Sequence, residues 1–336
     1  MPKLSTTRYD APAYLARYEA RRSEPRAEPA AEGEPAFVAR ARHRATQRAL
    51  EELDHVDAPP GRTPAFARET VAPRELQWSE SLRRRVTGST DVRLIRHGQT
   101  QGYISDGGLT PLGRWQAHRK GQDLARGLKE GMTVRLPHAP TARARETAIA
   151  VQEGILQALS RYGIGEVTVE EPVPAEIFDN FQVWCGGKEM DVTAAFQLYA
   201  RTLEEHERTS AGDRPGWMLE MHRFFNVEAA AGDPITYWLQ QPMHYFEPPI
   251  AVVRRHWQGI VQHLSEGPPD LRLYVCGHSG PIRAVAAAAV GHDPGEPNNV
   301  EDVRIRVFED REHAIVTYRG RGVELEIPTA VTASWQ

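Results

Sequence analysis

The stretch Leu-Ile-Arg-His-Gly-Gln-Thr, residues 94–100, joins the end of an apolar run to a polar loop that carries an arginine and a histidine. The apolar run, residues 92–95, has the length of a short buried strand. After the loop, Thr110 is suited to cap a helix and Pro111 to occupy its first position. The stretch therefore predicts a strand, a polar loop at its end, and a helix after the loop.

Strands and helices are predicted to alternate along the chain from this point. Apolar runs predict further strands at residues 132–136, 167–170 and 271–276, and a helical pattern follows residue 110 and covers residues 142–162, 250–264 and 281–290. Such alternation is typical of a mainly parallel sheet with helices on both faces. Short strands at residues 303–308, 314–318 and 323–327 are expected to extend the sheet. The sequence thus predicts an α/β fold of three layers, α/β/α, over residues 89–328.

Residues 1–88 differ in composition and pattern from the rest of the chain, since Arg, Glu, Ala and Pro dominate and strand-like alternation is absent. Residues 11–22 and 35–56 have helical composition, and Pro-rich stretches at residues 23–29 and 58–64 break it. We therefore expect an N-terminal arm, partly helical and partly irregular. An oligomerisation or docking segment and a partly disordered extension fit this composition equally well.

Charge, hydropathy and cysteine usage argue against several classes of protein. The formal net charge of -4 provides no electropositive field for nonspecific nucleic-acid binding. The apolar runs are too short to span a membrane, and the N-terminus lacks the apolar segment of a secretory signal. Cys185 and Cys276 can form at most one bridge, and neither they nor the histidines have a zinc-ligand spacing. We expect a cytoplasmic protein with no metal and no nucleic-acid or membrane partner.

Three further stretches follow residues 94–100 in order: Leu-Thr-Pro-Leu-Gly-Arg-Trp-Gln-Ala (109–117), Arg-Ala-Arg-Glu-Thr-Ala (143–148) and Gly-His-Ser-Gly-Pro-Ile-Arg-Ala (277–284). Together the four stretches resemble the histidine phosphatase superfamily, in its phosphoglycerate mutase-like branch with the Arg-His-Gly motif. The resemblance covers about residues 91–290. It implies phosphoryl transfer without a cofactor, on a three-layer fold.

The resemblance also implies roles for single residues. His97 is expected to attack phosphorus and become phosphohistidine, and His278 to stabilise charge in the transition state. The implied phosphate-binding residues are Arg96, Arg143, His278, Ser279 and Thr100. These residue types suit the chemistry, because a phosphate ester repels a nucleophile until cationic donors neutralise its oxygens. The same cations favour the neutral, nucleophilic form of His97.

The position of His278 has support that does not depend on the family. The predicted strand at residues 271–276, the small residues Gly277, Ser279 and Gly280, and a helix from Pro281 form a strand-loop-helix unit. Backbone N–H groups at the start of a helix suit an anion, and small residues let it approach. An ordinary strand-to-helix turn is the alternative.

A leaving alkoxide needs a proton, and the family takes it from a carboxylic acid after the third strand. Here that segment is Val-Pro-Ala-Glu-Ile-Phe-Asp, residues 173–179. Glu176 matches the family's position, and Asp179 is the second candidate. Burial beside a phosphate raises the pKa of a carboxyl, as a general acid requires. Glu170 and Glu171 are expected to be solvated charges at a strand end.

Two departures from the family bear on the reaction. Tyr103 stands where many members have an asparagine that contacts phosphate, and Gln99 stands where the mutases usually have glutamate. The second departure favours a phosphatase of a small organic phosphate monoester. A phosphomutase of the same superfamily remains an alternative, and so does a catalytically silent phosphate-ester-binding or scaffold protein. A homo-oligomer is also compatible with the sequence.

Residues 184–249 interrupt the alternation of strands and helices, with helices predicted at residues 190–208 and 214–227. We expect this helical insertion to act as a lid and to determine specificity. Its aromatic residues either line a pocket or form the insertion's own core, and the second reading is slightly favoured. The insertion also carries four basic side chains, which either contact further anionic groups of the substrate or are ordinary surface charges. They are Lys188, Arg214, His222 and Arg223.

Overall fold

A computed structural model describes residues 74–75, 82, 86, 88–101, 106–208, 214–229 and 232–328. Nearly all of the predicted arm at residues 1–88, including both of its predicted helices, lies outside the described residues. Tyr103 lies outside them as well.

Helices and strands alternate through the described ranges. The α-helices are α1 (Pro111–Ala125), α2 (Ala142–Tyr162), α3 (Val192–Arg208), α4 (Gly216–Ala229), α5 (Pro234–Gln240), α6 (Pro249–Ser265) and α7 (Ser279–Val290). The strands are β1 (Arg74–Glu75), β2 (Thr90–Arg96), β3 (Thr133–Arg135), β4 (Pro137–His138), β5 (Thr168–Val169), β6 (Val173–Pro174), β7 (Gln182–Cys185), β8 (Lys188–Asp191), β9 (Leu271–Gly277), β10 (Asp302–Val307), β11 (His313–Tyr318) and β12 (Arg321–Glu326). A short 3₁₀ helix covers Glu176–Phe178.

The main sheet has the strand order β1-β12-β11-β10-β2-β9-β3-β5, and β4 pairs with β9 and β6. Strands β2, β9, β3, β5, β4 and β6 pair in parallel, whereas β10, β11, β12 and β1 form an antiparallel extension. In the parallel part, Arg96 of β2 pairs with Gly277 of β9. The ends of these two strands therefore lie side by side at the same edge of the sheet.

Helices cover both faces of the sheet, as the alternation of segments predicts. Ile95 and Cys276 face a core with α1 and α2, and Leu94 and Val275 face a second core that includes α6 and α7. Alternate residues of one strand point to opposite faces, so each central strand contributes to both cores. The three-layer α/β/α fold is confirmed, and the three C-terminal strands extend the sheet as predicted.

The insertion differs from its prediction at its start. The expected helix at residues 190–208 begins at Val192, because Met190 and Asp191 belong to the hairpin of β7 and β8. Asp191 Oδ1 accepts hydrogen bonds from Thr193 N at 2.8 Å and Ala194 N at 3.4 Å, which caps α3. Sequence reasoning also missed α5, whose Asp233 cap and first-position proline are an ordinary helix start.

The aromatic side chains of the insertion pack mainly against one another. The Phe224 and Phe246 ring centroids lie 5.2 Å apart, and the Phe196 and Phe225 ring centroids lie 4.3 Å apart. Most of these rings belong to the same hydrophobic cluster as α6 and α7. The insertion is therefore packed onto the domain through its aromatic residues, and they form a core.

None of the helices in the described ranges is both long and apolar enough to cross a membrane. No group of three or more His, Cys, Asp or Glu side chains in these ranges could hold a metal ion.

Candidate active site

His97 directly follows β2, at the edge of the sheet where the parallel strands end. Its backbone N–H donates to Gly277 O at 2.9 Å, which ties the loop to the end of β9. Its side chain Nδ1 lies 2.8 Å from Gly98 O. A carbonyl can only accept, so Nδ1 carries the proton and Nε2 keeps its lone pair. The expected nucleophile is thus held with Nε2 unprotonated.

Gly98 and Gly113 allow the His97 loop to lie against the start of α1. A Cβ on Gly98 would collide with the Gly113 carbonyl, and a Cβ on Gly113 would collide with the Gln99 backbone. Thr110 N donates to Gln99 O at 2.9 Å across the same contact. The motif at residues 109–117 therefore fixes the His97 loop by close backbone packing.

Thr147 links the same loop to α2. Gly98 N donates to Thr147 Oγ1 at 3.0 Å, and that hydroxyl donates to Arg143 O at 2.7 Å. One hydroxyl thus connects the backbone beside His97 to the backbone of Arg143. This contact gives a physical reason for the threonine in the motif at residues 143–148.

Arg96 is the last residue of β2 and is 1% exposed. Its guanidinium donates to Pro297 O and pairs with Glu296 Oε1 at 3.2 Å. Glu296 in turn lies 3.6 Å from the guanidinium of buried Arg283. The loop before β10 therefore anchors Arg96 in the site.

Arg143 is the second residue of α2 and is 2% exposed. Nη2 donates to Thr193 Oγ1 at 3.1 Å, so the start of the insertion's first helix contacts this arginine. Nη1 lies 3.4 Å from Asp106 Oδ1, and the same carboxylate accepts a hydrogen bond from Ala142 N at 2.5 Å. Within the described residues, a carboxylate thus lies at ion-pair distance from each of these buried arginines, Glu296 for Arg96 and Asp106 for Arg143.

His278 directly precedes α7, at the end of β9, and is 2% exposed. Its ring centroid lies 5.6 Å from that of His97. Nε2 lies 3.3 Å from Thr141 Oγ1 and 3.9 Å from Asp179 Oδ1. Among the described residues, Nδ1 of His278 has no hydrogen-bond partner. The start of α7 thus brings a second histidine beside the first.

Burial and positive charge keep both histidines neutral. Burial and then the charges of Arg143 and Arg96 hold the pKa of His97 well below its usual range, although its hydrogen bond to Gly98 opposes this. Burial, Arg143 and His97 likewise depress the pKa of His278. Both imidazoles therefore keep a lone pair at neutral pH.

Glu176 and Asp179 have different surroundings. Glu176 begins the 3₁₀ helix and is exposed to solvent. Asp179 is mostly buried and faces His278, and burial raises its pKa to about 6. This value already includes a contribution from nearby Asp191, which raises the pKa, and the opposing effects of hydrogen bonds from Asn180 N and Gln182 and of the charge on Arg255. Of the two candidate acids, Asp179 is the one that faces His278, and its pKa lies near neutrality.

Thr100 and Ser279 are the two other predicted phosphate ligands, and they follow His97 and His278 closely in sequence. The Thr100 hydroxyl donates to Gly108 O at 2.7 Å. Ser279 is the partly buried first residue of α7.

Of the remaining charged candidates, Glu170 forms an ion pair and His222 a hydrogen bond. Arg135 binds Glu170 in a bidentate pair at 2.7 and 3.1 Å, and Glu171 is exposed. In the insertion, His222 Nδ1 lies 2.7 Å from the Tyr199 hydroxyl, and Lys188 is exposed. Arg214 is partly buried, and Arg223 is exposed.

Sequence reasoning missed the polar residues that support the site: Asp106, Thr141, Thr193 and Glu296. Thr141 had a readable signal, since a threonine before a predicted helix is a common cap, and its side chain accepts from Ala144 N. The others act on residues distant in sequence, and no local pattern indicates such contacts.

No protein-family model matches the sequence, and no curated protein matches it. The solved structures similar to this chain include a mycobacterial glucosyl-3-phosphoglycerate phosphatase in complex with VO3, which is 18% identical over 66% of this chain and 94% of its own, with a TM-score of 0.38. A candidate alpha-ribazole-5′-P phosphatase from Escherichia coli K-12 is 17% identical over 73% of this chain and 100% of its own, with a TM-score of 0.36. Mycobacterial hydrolase 1 is 17% identical over 72% of this chain and 100% of its own, with a TM-score of 0.36.

Proposed function

We propose that this protein is a phosphatase that hydrolyses the phosphate monoester of a small organic molecule through a phosphohistidine on His97. What supports this most is the convergence of two buried neutral histidines and two buried arginines, each no more than 2% exposed, where β2 and β9 end and α2 begins. The guanidinium donors suit phosphate oxygens, and the lone pair on His97 suits attack on phosphorus. The chemistry needs no metal, because arginines neutralise the phosphate oxygens.

In the first step, His97 Nε2 attacks phosphorus in line with the leaving oxygen. The new Nε2–P bond forms as the bond from phosphorus to the ester oxygen breaks. Arg96, Arg143 and His278 bind the nonbridging oxygens, whose charge is redistributed in the transition state. The Nδ1–H bond to Gly98 O stabilises the positive imidazole that forms.

Asp179 is the general acid of this proposal. Its protonated carboxyl gives a proton to the leaving alkoxide, which departs as an alcohol. In the second step, water attacks phosphorus and gives its proton to the Asp179 carboxylate. The Nε2–P bond breaks, and inorganic phosphate leaves neutral His97 behind. Asp179 is preferred to Glu176 because it is buried, faces His278 and has a pKa of about 6.

The test is turnover of a panel of small phosphate esters by the wild-type protein, with inorganic phosphate and the product alcohol both quantified. We expect equal amounts of the two products, unchanged by a metal chelator and lost in His97→Gln. Phosphate recovered on another hydroxyl of the substrate would instead identify a mutase. Tight binding of esters with no turnover across the panel would overturn the proposal in favour of a silent binding protein.

A further inference from the structure

Residues 176–180, named here the acid loop, carry both candidate acids on a single 3₁₀ turn and the two residues that follow it. So short a turn leaves carbonyl oxygens that need partners outside a helix or sheet. One guanidinium supplies them: Arg255 of α6 donates to the carbonyls of Ile177 at 2.9 Å, Asp179 at 3.1 Å and Asn180 at 3.0 Å, with Glu176 at 3.4 Å. Arg255 therefore binds the acid loop along nearly its whole length.

Glu247 fixes the orientation of Arg255. Arg255 Nε and Nη2 donate to its two carboxylate oxygens at 3.0 and 2.9 Å, in the bidentate geometry that matches a guanidinium. Glu247 is 3% exposed and also accepts from Gln182 N at 3.0 Å. All the N–H groups of Arg255 are thus directed either at Glu247 or at the acid loop.

The next turn of α6 packs against the same loop. Gly259 lies one turn beyond Arg255 on the same side of the helix. A Cβ at Gly259 would come within 2.8 Å of the Phe178 ring and of Ile177. The Phe178 ring also contacts His256 of α6, with ring centroids 5.7 Å apart. The position of the loop is therefore set by one face of α6.

We infer that Arg255, held by Glu247, is the positioning residue for the general acid: it fixes the acid-loop backbone so that the Asp179 carboxyl faces His278 and the leaving oxygen. This inference rests on the proposed function. Arg255 acts through Asp179 and needs no contact with the substrate. Proton transfer requires hydrogen-bond reach, so a small displacement of the loop slows it steeply.

Substrates with different leaving groups distinguish this positioning role from a purely structural role. An alkyl phosphate leaves as an alkoxide that needs a proton, whereas 4-nitrophenyl phosphate leaves as a stable anion. In Arg255→Lys, we expect kcat/KM to fall ~10- to 100-fold for an alkyl phosphate and less than about threefold for 4-nitrophenyl phosphate. Arg254→Lys is the matched control, because Arg254 is its exposed neighbour on α6, and it should change neither value.

A double-mutant cycle makes the test specific. If Arg255 acts through Asp179, then Arg255→Lys should add little to Asp179→Asn on the alkyl substrate. Glu247→Gln should shift the leaving-group preference in the same direction as Arg255→Lys, since it weakens the bidentate pair.

Equal losses on both substrates, additive losses in the double variant, or failure of Arg255→Lys to fold would each overturn the inference, because each makes Arg255 a residue of general stability. Failure of the proposed function has a different signature. In that case the wild-type protein itself would hydrolyse neither ester.

Discussion

His97 and His278 are held by the ends of two adjacent parallel strands, whereas Asp179 stands in an irregular loop that a side chain from a distant helix holds in place. The first arrangement depends on backbone pairing and on glycines that allow close packing. The second depends on one guanidinium and its carboxylate partner. In the proposed mechanism, the histidines that act at phosphorus are thus held by the sheet, whereas the acid that protonates the leaving oxygen is held by a side chain of α6.

The largest effect is expected at the nucleophile. His97→Gln removes the attacking nitrogen but keeps a polar side chain, so kcat should fall by about 10⁴-fold or more on both alkyl and 4-nitrophenyl phosphates. Steady-state phosphate release measures this. His244→Gln, at an exposed position of the insertion, should retain wild-type activity. Residual activity above a tenth of wild type in His97→Gln would remove His97 from the mechanism.

A substitution of Arg143 is the next test, and it concerns the groups proposed to act at phosphorus. Arg143→Gln removes donors that we expect to contact nonbridging oxygens, so kcat/KM should fall about 10²- to 10³-fold. The loss should be the same for good and poor leaving groups, because those oxygens are common to both substrates. Arg145→Gln, on the exposed side of α2, is the control. A loss confined to alkyl phosphates would instead mean that Arg143 acts on the leaving group.

A substitution of Asp179 tests the proposed proton transfer to the leaving group. Asp179→Asn should lower kcat/KM for an alkyl phosphate about 10²-fold and affect 4-nitrophenyl phosphate little. Because the active form is protonated and its pKa is about 6, wild-type kcat/KM on the alkyl substrate should fall as pH rises above that value. Asp179→Asn should lack this decline.

Glu176→Gln is the comparison for Asp179→Asn. With Glu176 exposed, this variant should leave both the rate and the pH profile close to wild type. If Glu176→Gln shows the selective loss and Asp179→Asn does not, the roles of the two acids are reversed.

A smaller effect, on stability, is expected where the loop meets α1. In Gly113→Ala, the added methyl collides with Gln99 backbone, and overpacking of this kind costs about 1–3 kcal/mol of unfolding free energy. Denaturant unfolding measures the change. Gly165→Ala has open space around it and should be close to neutral. Equal stability of both variants would show that the loop does not depend on this contact.

The part of the site that the sequence predicts is the part with local signals. A short apolar run followed by Arg96 and His97, and another followed by His278, locate strand ends, and parallel pairing then brings those ends together. The cap at Thr110 and the alternation of elements likewise predict the helices and the three layers.

The remainder depends on contacts between residues far apart in the chain. Arg255 is the second of two consecutive arginines in α6, and nothing in the local sequence distinguishes it from exposed Arg254. Thr193 contacts Arg143 only because the hairpin of β7 and β8 positions the start of α3. Glu176 and Asp179 also differ in burial, and the burial of single residues in a short loop cannot be derived from residue order.

The most direct test of the proposed mechanism is to determine which atom of the enzyme carries the phosphoryl group. Wild-type protein should be mixed with a small phosphate ester, quenched in alkali, and examined by ³¹P NMR and by mass spectrometry of its peptides. Because Nδ1 of His97 donates to Gly98 O, we predict a phosphoryl group on Nε2 of His97, absent in His97→Gln. A phosphoryl group on Nδ1 or on another residue, or turnover with no phosphorylated enzyme at any time, would contradict the account.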